Sequence, residues 1–158
     1  MTDLMDSRKA EAAAWFRQLR DRIVTAFEDL ETRFAPAAAG RFQVTPTTRP
    51  DGGGGIMSVM RGGSVFEKVG VNWSEVHGTL GEKAQRAMAA RGVPGMDSDP
   101  RFWASGISLV AHMANPHTPA VHMNTRMFWT PGAWWFGGGA DLNPCIEYAE
   151  DTAHFHDQ

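Results

Sequence analysis

Three stretches decide the fold: GISLVAH at residues 106–112, AVHMNTRMFW at 120–129 and AWWF at 133–136. In an extended chain residues two apart share a face. Ser108, Val110 and His112 therefore point one way and Ile107, Leu109 and Ala111 the other. The same rule puts His122, Asn124, Arg126 and Phe128 on one side, with Val121, Met123 and Met127 opposite. The connections between these runs are too short for the crossovers that parallel strands require, so the strands pair antiparallel.

Working outward, Asp6 or Ser7 is placed to cap a first helix whose Phe16, Leu19, Ile23, Phe27, Leu30 and Phe34 recur at helical spacing. Residues 1–34 thus read as an amphipathic packing helix. Residues 35–55, rich in Pro, Gly, Ala and Thr and ending in DGGGG, read as a loop. Residues 56–60 and 65–73 flank Arg61-Gly62-Gly63-Ser64, the pattern of a hairpin whose turn needs positive φ. Glu82–Arg91 reads as a short helix stopped by Gly92 and Pro94, Gly137-Gly138-Gly139 as a turn, and Asn143-Pro144 as the opening of a last helix through His154 or beyond. The expectation is one α+β domain over residues 1–158, an antiparallel β-sheet flanked by helices, with the sheet and site in residues 56–158.

Composition narrows the function. The chain has 158 residues and a formal charge of -3, with no basic excess to neutralise a nucleic-acid backbone. Its charged start lacks an apolar leader segment, and no apolar run reaches membrane-spanning length, so a cytoplasmic protein without an integral membrane segment is expected. Cys145 is the only cysteine, which excludes an internal disulfide and a multi-thiolate iron–sulfur cluster. A small residue at the start of the last helix is its simplest role. DGGGG lacks the Lys-Ser/Thr ending of a phosphate loop, and Ser108 has no nucleophile elbow around it. Trp103, Trp129, Trp134 and Trp135 read as core and cavity wall.

The polar strand face carries hydroxyl, imidazole, amide and guanidinium, where a merely solvated face would hold Lys, Glu and Thr. It suits a concave binding surface. Arg126 offers a planar fork for a carboxylate, and Ser108 and Asn124 add neutral hydrogen bonds. His122 is either a structural hydrogen-bonded group or a proton carrier, because imidazole ordinarily titrates near neutral pH. Asp141, after the three glycines, is a carboxylate beside backbone that a flat ring can approach. His154 and His156 lie about 200° apart on a helix, too far round to share an ion.

Taken together, SGISLVAHMANP (105–116), AVHMNTRMF (120–128) and WWFGGGADLNP (134–144) resemble the oxygen-dependent coproporphyrinogen III oxidases. The likeness extends to GGGGIMSVMRGGSVFEKVGVNWSEVHG (52–78) and EYAEDTAHFH (147–156). It implies oxidative decarboxylation of two propionates of coproporphyrinogen III to vinyl groups by dioxygen, giving protoporphyrinogen IX in haem biosynthesis. It also implies substrate contacts at Ser108, Asn124, Thr125 and Arg126, a proton-donor role for His122, and an Asp141 that holds the pyrrole N–H groups. No organic cofactor is implied beyond dioxygen, although a divalent metal cation on His112 and His156 is a possible addition. Members of the family form homodimers and are longer than this chain, which therefore reads as a C-terminally truncated, N-terminal portion of the family fold. The alternatives are a fragment that binds tetrapyrrole without turnover and a histidine-based metal-binding module.

Overall fold

The computed structural model describes residues 2–157. Three helices accompany one six-stranded sheet: α1 (Thr2–Phe34), β1 (Gln43–Thr48), β2 (Gly53–Arg61), β3 (Phe66–Thr79), α2 (Glu82–Ala90), β4 (Arg101–Met113), β5 (Ala120–Thr130), β6 (Ala133–Asn143) and α3 (Ala149–His156). The sheet order is β1-β2-β3-β4-β5-β6, and every neighbouring pair is antiparallel. The expected α+β class and antiparallel pairing are both present. Each strand pairs with the next in sequence, and only the β3–β4 connection is long enough to hold a helix.

α1 lies across one face of the sheet. Its Ala12, Ala13 and Phe16 are buried against Trp73, Trp103, Ile107 and Met127, and Ile23 and Phe27 pack further along against Met60, Val69, Val71 and Leu109. Full burial of side chains such as Phe16, Ile107 and Met127 stabilises the layer by roughly 1.5–3 kcal/mol each. Two polar links fix the helix in register. The guanidinium of Arg20 donates to Ser58 Oγ at 2.8 Å inside this layer. Glu31, fully buried, accepts backbone N–H bonds from Gly40, Ser64, Val65 and Phe66 at 2.8–3.0 Å, tying the helix end to the β2–β3 turn. Burial pushes the Glu31 carboxyl up, but these four bonds outweigh it and hold the group below its ordinary value. The turn itself needs Gly62, whose φ is +62°.

Several boundaries differ from the sequence expectation. Helix α1 runs through Asp6 and Ser7, and Ser7 Oγ donates to Glu11 one turn on, so neither residue caps. Phe34, the last residue of the helix, is 67% exposed and does not join the buried stripe. Residues 43–48, expected as loop, form an edge strand that is exposed throughout. An edge strand tolerates Pro46, since one side needs no ladder donor. The glycine run at 137–139 is not a turn: β6 continues through it to Asn143. α3 begins at Ala149, several residues after Asn143-Pro144, so exposed Cys145 lies in the preceding loop and not at a helix start.

Candidate active site

The face of the sheet opposite α1 is polar and open. Cross-strand register places its side chains in rows. One row holds Val110, His122 and Asp141; the next holds Asn72, Ser108, Asn124 and Gly139; the third holds Ser74, Gly106, Arg126 and Gly137. His122, Asn124 and Arg126 therefore share one face, on a strand antiparallel to that of Ser108. The arrangement arises from strict alternation. Met123 and Met127 turn towards the α1 layer, and that burial fixes which way their neighbours point.

A depression of about 450 Å³ lies over β3, β4 and β5, bordered by Asn72, Ser74, Ser108, Asn124 and Arg126. Phe128 stacks on Phe102 at 5.7 Å and on Trp135 at 5.0 Å, making an aromatic wall at one end. Arg126 and Ser108 are exposed, and Arg126 forms no ion pair among the described residues. Its guanidinium is free to take an external carboxylate. Gly137 and Gly139 sit opposite Arg126 and Asn124, and a Cβ built on Gly139 would meet nothing within 4 Å. That part of β6 is a bare backbone platform.

His122 and Asp141 face each other across β5 and β6, Nδ1 to Oδ2 at 2.9 Å. The other carboxylate oxygen accepts from Asn143 Nδ2 at 2.6 Å. The hydrogen bond from His122, followed by that from Asn143, holds the Asp141 carboxyl below its ordinary range. An ionised carboxylate only accepts, so the shared proton sits on Nδ1 and Nε2 is left for another partner. Each Asp141 oxygen keeps a lone pair for a further donor.

Not every expected residue joins this group. Thr125 alternates with Asn124 and Arg126, so its side chain shares the α1 face with Met123 and Met127 even though its backbone borders the depression. His112 is on the open face, opposite Lys68 at one end of β3 and β4. His156 borders a second cleft of about 240 Å³ between β6 and α3, which it shares with Asp141, Tyr148 and Asp151. Among the described residues no three His, Cys, Asp or Glu side chains gather as a metal site. Of the tryptophans, Trp103 is core, Trp129 packs against that core, and Trp135 stacks on Phe128 behind the depression, but Trp134 on β6 is 43% exposed.

Sequence reasoning did not single out Asn72, Ser74 or Phe102 as site residues, nor Asn143 as the partner of Asp141. Asn72 and Ser74 alternate with Val71 and Trp73, which is a legible signal. Their place beside Ser108 and Gly106 depends on the β3–β4 register, which no local pattern specifies.

Comparison with known proteins gives the family of the chain. Residues 11–158 match the family model described as coproporphyrinogen III oxidase. Oxygen-dependent coproporphyrinogen-III oxidases of Rickettsia bellii (strain OSU 85-389) and Rickettsia felis are 47% and 44% identical over 147 and 151 residues. That of Rickettsia rickettsii (strain Sheila Smith) is 41% identical over 151 residues. These alignments cover 91–94% of this chain and 50–52% of the relatives, so the chain spans about half the length of the relatives it matches.

Proposed function

Because the chain belongs to the coproporphyrinogen III oxidase family, we propose that its open sheet face binds coproporphyrinogen III and serves the oxygen-dependent conversion of propionates to vinyl groups. The observation that supports this most is the convergence of Arg126, Asn124, Ser108 and the His122–Asp141 pair on one exposed surface. Arg126 anchors a propionate, with Asn124 and Ser108 hydrogen-bonding beside it. Asp141 accepts from the pyrrole N–H groups and stabilises positive charge as electrons leave the ring. For each propionate, dioxygen accepts two electrons and two protons to become hydrogen peroxide, while carbon dioxide departs and a carbon–carbon double bond forms. His122, its Nδ1 proton held by Asp141, moves protons at Nε2. Thr125 contributes through its backbone, since its side chain turns away.

The cation site suggested for His112 and His156 is not supported by the donor set. The two imidazoles stand on different elements without a third ligand among the described residues. A cytoplasmic location and a homodimer complete the proposal; among the described residues no helix is long and apolar enough to cross a membrane.

Aerobic incubation with coproporphyrinogen III, followed by oxidation and fluorescence detection, tests the reading. Protoporphyrin should form in air and not under argon, and equal yields in both would reject it. The exposure of Ser108 and Arg126 favours a second reading, in which the chain binds the tetrapyrrole without turning it over. In that case coproporphyrin binding is weak and salt-sensitive, because in a high dielectric a carboxylate about 4 Å from Arg126 gains only about 1 kcal/mol.

A further inference from the structure

We propose that Arg61 and Lys68 form a second carboxylate-binding subsite on the open face, at the far end of the strands from Arg126. The proposal rests on the tetrapyrrole reading above and specifies how such a ligand is oriented. Register sets Arg61 directly opposite Lys68, and Lys68 directly opposite His112, so the three form one row. All three are exposed. Like charges directly opposite in a sheet repel, and neither Arg61 nor Lys68 has a carboxylate partner among the described residues. A bound anion relieves that repulsion.

Position makes the anion part of a larger ligand. Lys68 lies six residues along β3 from Ser74, which stands in the same row as Arg126 two strands away. At about 3.4 Å per residue and about 4.8 Å per strand, the two cationic ends are on the order of 20 Å apart at the backbone. The long, flexible stems of Lys68 and Arg126 can span part of that gap. The surface between them is low, with Gly70 opposite Val110. A small acid reaches one end only. A broad ring with carboxylates on opposite edges engages both, which fits a tetracarboxylate lying flat across the sheet.

The test compares fluorescence titrations of the 158-residue chain with coproporphyrin III, which has four carboxylates, and deuteroporphyrin IX, which has two on one edge. Wild type should prefer coproporphyrin. In the Arg61→Ala/Lys68→Ala double variant that preference should fall roughly fivefold, the scale of an exposed ion pair, with deuteroporphyrin affinity retained. Circular dichroism checks that the variant remains folded. An unchanged preference overturns the subsite, as does displacement of coproporphyrin by inorganic phosphate at constant ionic strength, which would mark a generic oxyanion patch. A change in sedimentation without a change in preference also overturns it, by assigning the pair to contact between chains. If wild type binds neither porphyrin, the tetrapyrrole reading itself fails. If Arg126→Ala weakens both ligands and the double variant weakens neither, only the second subsite fails.

Discussion

His122 on β5 and Asp141 on β6 stand directly opposite each other on the open face, with Nδ1 2.9 Å from Oδ2, and Asn143 holds the remaining oxygen of the same carboxylate at 2.6 Å. Both lowering hydrogen bonds on Asp141 are therefore removable one at a time. In Asn143→Ala the Asp141 carboxyl should move up towards its ordinary value, and in His122→Ala further, because His122 is the larger cause. Titration of the carboxyl carbon by NMR checks this order. Equal values in wild type and both variants would refute the clamp.

Arg126 and Asp141 should matter for different reasons. Arg126→Ala, which removes an exposed anchor, is expected to raise KM several-fold with a smaller effect on kcat. Asp141→Ala should lower kcat, since charge on the ring develops only as electrons leave it. Cys145→Ala, in an exposed loop, should alter neither. Steady-state kinetics on coproporphyrinogen III, in this chain or a longer relative, separates the three.

The glycine run gives a paired test of space. A Cβ on Gly138 would come within 2.4 Å of Asn124 O, whereas one on Gly139 would meet nothing within 4 Å. Gly138→Ala should therefore destabilise the chain by about 1–3 kcal/mol, as overpacking does. Gly139→Ala should leave the urea midpoint nearly unchanged while weakening porphyrin binding, because its methyl group stands on the platform beside Asn124. Equal midpoints for the two variants would contradict the close approach of β5 and β6.

Glu31 sets an acid limit on stability. Its carboxyl is lowered from 4.5 in the folded protein. A depressed carboxyl stabilises the fold fully above the unfolded-state value, and that contribution is lost as pH falls from there through the lower folded value. Glu31→Ala leaves four backbone N–H donors without their acceptor and should cost at least about 3 kcal/mol near neutral pH. Urea unfolding should show the gap between wild type and variant narrowing as the solution is acidified. A gap independent of pH would show that Glu31 acts by packing alone.

The short connections between residues 106–112, 120–129 and 133–136 were enough to determine antiparallel pairing, and alternation grouped His122, Asn124 and Arg126, because a period of two leaves no choice of face once Met123 and Met127 are buried. Helical spacing from Phe16 to Leu30 likewise fixed α1 and its buried stripe. The glycine runs were ambiguous: glycine lacks the side chain that distinguishes strand from turn, and only pairing with β5 draws 137–139 into β6. The edge strand β1 was hidden for a related reason, since its exposed side chains carry no hydrophobic pattern. Tertiary structure alone decided the cross-strand partners. Register places Asp141 against His122, Asn72 beside Ser108 and Arg61 against Lys68, and hydrogen bonding between distant segments sets that register, which no local run of residues encodes.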